Sequence, residues 1–467
     1  MHDKFDSISP IDYRYADDRV TGFLSENAAT VYKLRVELAL VTVLNRRGIC
    51  SNAVLGEVKA ACGQVTTAEV YEEEDRVRHD VRALVNCIRA KVSDDAKPFI
   101  HMTATSFDII DTANAARYKD VVEQVLIPSL TELEGVLAGL SIREAATVQI
   151  GRTHGQHAVP ITFGFAVSGY VSRLGRSIEK LRSLAQELVG KFSGAVGAYN
   201  ASSLSFDDPE KFEAEVLAEL GLEPAEHSTQ IVPPEALTRL LCEVTIAAGI
   251  LANLSDDMRH LQRTEIGEVG EAFEAAQVGS STMPQKRNPI NFENAKSLWK
   301  VIVPRMLEAF MAIAFRIQTV FEDQISEHQR DLTNSASART DGEIIAYAVS
   351  ITKRLTRTMK KLVVDRDNLE RNLGMQRGLV LAEPLYIILA GLGHPDAHEK
   401  VRVLTLHAQR EKQPLEEIVV RDEEMKGYLD RMTSSQRRIL SNPSLYTGIA
   451  AKKAHAIAER WKRKLGV

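Results

Sequence analysis

The sequence predicts an all-α protein: three helical domains around a long central five-helix bundle. Three observations carry the fold class. Apolar residues recur at alternating three- and four-residue steps through Leu126, Leu130, Leu133, Leu137 and Leu140, then Val171, Leu174, Ile178, Leu181, Ala185 and Leu188. A third stripe runs through Leu237, Leu241, Val244, Ala248, Leu251, Ser255 and Met258. These stretches far exceed the ~11–12 residues of an average helix, and strand signals are sparse.

Residues 1–30 mix turn formers with aromatics, as in Ser9-Pro10-Ile11-Asp12-Tyr13-Arg14-Tyr15, and read as an irregular lead-in. Helical patterns follow over 26–47, 53–65 and 70–91, with a break from Asp94 to Pro98. A first helical domain is placed at 1–110. The central domain, 111–362, holds the three stripes and two more helices, over 289–327 and 335–362. Each fully buried leucine contributes roughly 1.5–3 kcal/mol, so the stripes supply most of the stabilisation. Residues 192–199 admit a short extended piece or, with Gly194 and Gly197, a turn-rich connection. The shorter helices of 363–467, broken near Pro395, Pro414 and Pro443, form a third domain.

The chain has 467 residues, 44% hydrophobic and 26% charged, ordinary values for a soluble globular protein. A net charge of −5 argues against a general nucleic-acid surface but allows a local basic pocket. Cys50, Cys62, Cys87 and Cys242 lack zinc-ligand spacing, so reduced, buried thiols in a cytoplasmic protein are expected. The first residues lack a signal-peptide pattern, and no apolar run approaches the ~20 residues of a membrane span. No association with a membrane is expected.

Chemistry is expected in the breaks between helices. The run Gly279-Ser280-Ser281-Thr282-Met283-Pro284-Gln285-Lys286-Arg287-Asn288-Pro289 cannot lie inside a helix. Asn288 suits an N-cap and Pro289 a first helical position. Cations, backbone donors and a helix start there favour an anion. It is not a phosphate-binding P-loop: Gln285 precedes the lysine and Arg287 follows it. A second loop, 151–160, carries Arg152, His154, Gln156 and His157 between glycines. Histidine suits proton transfer near neutral pH, and the glycines argue against a helical metal site. Arg78-His79-Asp80, read as lying inside a helix, is either a charged surface cluster or part of a site. Thr105 and Ser106 either cap the helix that starts there or present donors to a carboxylate. Ser335 and Arg339 share a helix face, and with Arg330 they are either an exposed charged start or a phosphate grip.

Together these loops resemble the fumarase/aspartase superfamily, whose signature G-S-S-x-M-P-x-K-x-N-P is matched at 279–289. Within it the chain resembles the adenylosuccinate lyase family. Ser9-Pro10…Arg14-Tyr15, Arg78-His79-Asp80-Val81, Thr229-Gln230, His260-Leu261-Gln262-Arg263-Thr264-Glu265 and Arg330-Asp331…Ser335…Arg339 carry that likeness. Thr103 stands where the family often has glycine.

The resemblance implies a carbon–nitrogen lyase of purine biosynthesis that removes fumarate from adenylosuccinate or from succinylated aminoimidazole carboxamide ribotide. It implies a nucleotide substrate, no metal or other cofactor, and a homotetramer with sites shared between subunits. It casts Ser280 as general base and His154 as general acid, oriented by Glu293. Lys286 and Asn288 stabilise developing charge, and His79 binds substrate or relays a proton. Thr105, Ser106 and Gln230 hold carboxylates. Arg14, Arg330, Ser335 and Arg339 hold the phosphate, with Tyr15, Arg78, Asp80, Ser281 and Arg287 completing the binding set. An argininosuccinate lyase, a carboxymuconate cycloisomerase and a non-catalytic structural oligomer are the rival readings.

Overall fold

The computed structural model describes residues 6–273, 281–283, 285–314 and 336–467. The fold is all-α, as expected. Its principal helices are α1 (Glu26–Arg46), α2 (Thr67–Val77), α3 (Asp80–Arg89), α4 (Ser106–Val121), α5 (Ile127–Arg143), α6 (Phe163–Gln186), α7 (Glu235–Leu261), α8 (Ile290–Ala314) and α9 (Asp341–Lys360). A π-helical turn, Val122–Leu126, joins α4 to α5. Shorter helices follow from Arg366–Gly374 to Ala450–Leu465. Among the described residues, three two-stranded pairs interrupt the helices: β1 (Val148–Thr153) with β2 (Gln156–Thr162), β3 (Val189–Gly190) with β4 (Glu223–Pro224), and β5 (Val269–Gly270) with β6 (Val363–Val364).

Local chemistry sets the helix starts. Ser25 Oγ accepts the Ala28 N–H of α1 at 3.2 Å. Thr66 and Glu69 form a reciprocal capping box on α2: Glu69 N–H to Thr66 Oγ1 at 3.3 Å, Thr66 N–H to Glu69 Oε2 at 2.8 Å. Such a cap is worth about 1 kcal/mol.

Backbone contacts divide the chain into two compact units. The first comprises Met1–Leu130, Ser177–Gly249 and Ser297–Thr352. Its core includes Val36, Leu40, Val43 and Leu44 of α1, Ile109 and Val121 of α4, and Leu181, Leu241 and Val244. The second comprises Thr131–Arg176, Ile250–Lys296 and Lys353–Val467. Leu133, Leu137, Val171, Leu174, Leu251, Leu355 and Trp461 are buried there, and a satellite cluster gathers Leu385, Leu389, Leu404, Ala408, Ile418 and Met425. The Leu126–Leu140 and Val171–Leu188 stripes are buried throughout, so their heptad-like spacing reads as packing. One α5 residue breaks the apolar pattern. Glu134 is 0% exposed, neither carboxylate oxygen has a partner among the described residues, and burial pushes its carboxyl up to about 9.

Several expectations are corrected. The helix expected over 70–91 is two helices, α2 and α3, separated by Arg78 in the left-handed conformation (φ 57°). The loop expected at 151–160 is an antiparallel hairpin. Both turn residues, His154 (φ 54°) and Gly155 (φ 72°), have positive φ, the requirement of a two-residue type I′ turn. Helix α8 starts at Ile290, with Glu293 N–H bonding Pro289 O at 2.9 Å, so Pro289 rather than Asn288 holds the N-cap position. Helix α9 starts at Asp341, after a 3-10 turn at Ser337–Arg339. Of the two readings of residues 192–199, the turn-rich connection is the one present. By length and composition, 106–143 and 235–261 are apolar enough to cross a membrane, contrary to expectation; more than half of each apolar window is buried in the protein. Interspersed Ala, Gly, Ser and Thr hid these stretches from a search for unbroken apolar runs.

Gly175 tests the packing of α6. A Cβ there would lie 2.4 Å from the ring of Trp461, which is 1% exposed. Gly175→Ala is expected to destabilise the protein by about 1–3 kcal/mol through overpacking, seen as a lower midpoint in chemical denaturation.

Candidate active site

The first unit assembles one set of candidate residues around the start of α4. Thr105 and Ser106 stand at its N-terminus, where backbone donors and the helix dipole favour an anion. Asp108, 0% exposed, fixes this start: its Oδ2 accepts the Thr105 N–H at 2.8 Å. Its Oδ1 pairs with Lys191 Nζ, also 0% exposed, and accepts the Gly194 N–H at 3.3 Å. Lys191 Nζ donates to Gly194 O at 3.0 Å, and Thr112 Oγ1 donates to Lys191 O at 2.8 Å. Ser193 Oγ reaches Ser228 Oγ at 2.7 Å, and Asp111 Oδ2 accepts the Val232 N–H at 2.8 Å. These bonds tie the Thr105–Ser106 start to the segment carrying Gln230, which is half-buried.

His79 also belongs to this set. It is the N-cap of α3, not a mid-helix residue: its Nδ1 accepts the Arg82 N–H at 3.2 Å. That assigns the ring proton of the neutral form to Nε2, which lies 3.4 Å from Ser106 Oγ. Asp80 Oδ2 lies 3.5 Å from Lys33 Nζ, and the exposed Arg78 is 3.4 Å from Asp75. Arg14 is exposed after the turn Pro10–Tyr13, and Tyr15 packs edge-on against Tyr347 at 6.1 Å. Arg339 is exposed, 3.8 Å from Glu26. Arg330 and Ser335 lie outside the described residues.

The structure adds His101, which no motif in the sequence marks. Its backbone is left-handed (φ 62°), its N–H donates to Glu37 Oε2 at 2.9 Å, and its Nδ1 lies 2.7 Å from Glu37 Oε1. Burial disfavours the charged imidazole, but the Glu37 carboxylate outweighs this and raises its pKa. Two residues on, Thr103 is also left-handed (φ 62°), and its buried Oγ1 has no partner among the described residues. This explains the glycine common at that position in the family the chain resembles: a β-branched residue is strained there.

The second unit carries His154 at the hairpin tip, exposed to solvent. The hairpin stem is held by Glu268, 0% exposed, whose carboxylate accepts from both terminal guanidinium nitrogens of Arg152 in a fork. Gln149 Nε2 and Asn372 Nδ2 each donate to it at 2.8 Å. Gly151 allows the strands to close, since a Cβ there would meet Val159 O at 2.5 Å. His157, opposite Arg152, has its pKa lowered by burial and by that cation.

Of the signature loop, Ser280 lies outside the described residues. Ser281 and Lys286 are exposed, with Lys286 N–H turning back to Met283 O at 3.0 Å, and Asn288 is half-buried. The exposed Arg287 guanidinium sits 5.6 Å from the centroid of the Phe273 ring. The expectation that the α8 N-terminus awaits an external anion is corrected: the Glu271 carboxylate already accepts from Asn291 N–H (2.9 Å) and Phe292 N–H (3.0 Å). Glu293 is exposed, and among the described residues no hydrogen bond joins it to His154. Glu37, Asp108, Lys191, Glu268 and Glu271 escaped the sequence reading because lone charged residues give no signal of burial.

Among the described residues, long helices whose breaks carry acid, amide and hydroxyl groups, with no nucleotide-binding sheet, define an all-α architecture with polar groups gathered at helix ends. A family model described as "Lyase" matches residues 37–303, and one described as "Adenylosuccinate lyase C-terminal" matches 326–437. Adenylosuccinate lyase from Pyrococcus horikoshii is 35% identical, covering 98% of this chain and 99% of that protein. Its counterpart from Methanocaldococcus jannaschii is 33% identical, over 98% and 97%. In structure, the chain is similar to 3-carboxy-cis,cis-muconate lactonizing enzyme from Pseudomonas putida, with TM-score 0.83 and 25% identity over 98% of this chain and 99% of that one. Fumarate lyase from Mesorhizobium sp. BNC1 shares the fold at TM-score 0.80 and 22% identity, over 95% and 98%. The chain belongs to the adenylosuccinate lyase family.

Two substitutions test how the first set is held. Thr103→Gly relieves a left-handed β-branched residue and is expected to stabilise the protein by about 1 kcal/mol, net of the entropy of glycine, seen as a raised denaturation midpoint. Asp108→Asn leaves the Lys191 charge buried without a counter-ion and is expected to destabilise by about 3–5 kcal/mol in the same measurement.

Proposed function

We propose that the protein eliminates fumarate from adenylosuccinate to give AMP, and from succinylated aminoimidazole carboxamide ribotide to give the parent amide. The near-full-length identity of 33–35% with proteins named adenylosuccinate lyase carries this reading. The retained Ser280, Lys286, Asn288, His154 and Glu293 supply its chemistry.

In this reading Ser280 removes a proton from the succinyl carbon next to the β-carboxylate. The electron pair is held on that carboxylate as an aci-anion, which Lys286 and Asn288 stabilise. It then returns to form the fumarate double bond as the C–N bond breaks and His154 protonates the leaving nitrogen. A free serine is a poor base, and a nearby cation with backbone donors makes its alkoxide accessible. Thr105, Ser106 and Gln230 hold succinyl carboxylates, and His79, with Nε2 toward Ser106, sits beside them. Arg14, Arg330, Ser335 and Arg339 hold the phosphate, and Tyr15, Arg78, Asp80, Ser281 and Arg287 complete the pocket.

Assembly as a cytoplasmic homotetramer with sites shared between subunits belongs to the same proposal. Two observations support it. His154 and Glu293 are both exposed and unbonded to each other, and the long helices leave Ile246 at 49%, Leu307 at 60% and Phe310 at 41% exposure. The likeness to the muconate enzyme favours a cycloisomerase as second reading. The arginines proposed for a phosphate, a group a muconate lacks, count against it.

The deciding measurement is fumarate release from adenylosuccinate by the purified protein. Ser280→Ala and His154→Ala are each expected to lower turnover by about 10²–10⁴-fold, the range for general acid–base catalysis, while assembling as the parent does. Normal turnover of Ser280→Ala would remove the base assignment, and loss of assembly in His154→Ala would give that residue a structural role.

A further inference from the structure

Helix α8 begins in an unusual way. The residue at its N-cap position is Pro289, which has no side-chain oxygen to bond the free N–H groups of the first turn. Glu271, 4% exposed and remote in sequence, does this instead. Its Oε1 accepts the Asn291 and Phe292 N–H groups, and its Oε2 accepts Asn291 Nδ2 at 2.6 Å. Glu271 is itself held by Gln262, whose Oε1 accepts the Glu271 N–H at 2.9 Å. The other end of the same amide, Gln262 Nε2, donates to Arg287 O at 3.2 Å.

The bonds close a ring through Gln262, Glu271, Asn291 and Arg287. It grips the chain on both sides of Asn288, and at the residue next to Lys286. The helix cap therefore does not fall to Asn288. Burial raises the Glu271 pKa, while the Phe292 and Asn291 donors favour its anion and oppose that rise. Gln262 lies in the His260–Glu265 motif, for which the proposed mechanism has no other use.

We propose that Gln262 and Glu271 are positioning residues that fix Lys286 and Asn288 relative to the reacting carboxylate. The proposal rests on the lyase reading above. It adds that the loop's accuracy comes from a buried amide and carboxylate outside the loop. A misplacement of about 1 Å can lower a rate by about 10²-fold.

The test uses the full-length protein. Gln262→Leu leaves the Glu271 carboxylate on α8 and frees the Glu271 N–H and Arg287 O, so the protein should fold with a melting temperature lowered by a few degrees. Glu271→Gln keeps the volume and places an NH2 among donors. Both variants are expected to lower kcat at least tenfold with KM changed less than about twofold, and the double variant should be no worse than the weaker single one, as for residues in one network. Amide hydrogen exchange over residues 285–292 should accelerate at least tenfold in each. Should Glu271→Gln fail to fold, Gln262→Leu alone decides. Full kcat in folded Gln262→Leu overturns the proposal. If the parent releases no fumarate, the functional reading fails, and the exchange measurement still tests the ring: unchanged exchange in both variants refutes it.

Discussion

The Asp108–Lys191 pair is the interaction on which the first unit's candidate residues depend. Both side chains are 0% exposed. Taking two charges from water carries a desolvation penalty of several kcal/mol per ion, and their attraction offsets it only when the remaining donors and acceptors are bonded. Here the Thr105 and Gly194 N–H groups donate to the carboxylate, and Gly194 O accepts from the ammonium. Such a pair stabilises less than an apolar core would, but it tolerates few geometries. It thereby converts the burial of α4 into a defined position for Thr105 and Ser106.

The second unit repeats the device with other residues. Glu268 holds the hairpin and Glu271 holds the start of α8, from opposite ends of the four-residue segment that contains β5. Left-handed backbone also occurs at or near candidate residues: Arg78, His101, Thr103 and His154 all have positive φ. Residues other than glycine resist this conformation, and it persists where surrounding bonds over-determine it. Long helices supply rigid ends; His79, Thr105, His154 and Lys286 sit in the short breaks between them, where the backbone leaves helical geometry.

How much was legible follows from what each signal measures. The Leu126–Leu140 and Val171–Leu188 stripes report burial directly, so the helices they mark are all present. The glycine and proline punctuation marked the 279–289 loop as a break. It misled at 151–160, because a type I′ turn uses a glycine just as a loop does. Arg78 gave no warning of a helix break, since it takes the left-handed C-cap position of α2 that glycine or asparagine usually marks. The buried acids were invisible for a simpler reason. An aspartate at 108 looks like any other helix-start acid until Lys191, 83 positions later, is folded onto it.

Glu134 gives the fold a further property. With its carboxyl pushed up to about 9, it is uncharged near pH 7 and does not supply the negative charge that the formal −5 counts for it. In the unfolded chain the same group ionises near its ordinary value of 4.5. The folded state therefore binds the extra proton between those values, and this group's contribution makes stability fall as pH rises through that window. Unfolding at neutral pH releases this proton to the solvent. The measured heat of unfolding will then include the ionisation heat of whatever buffer takes it up, and will differ between phosphate and amine buffers held at one pH.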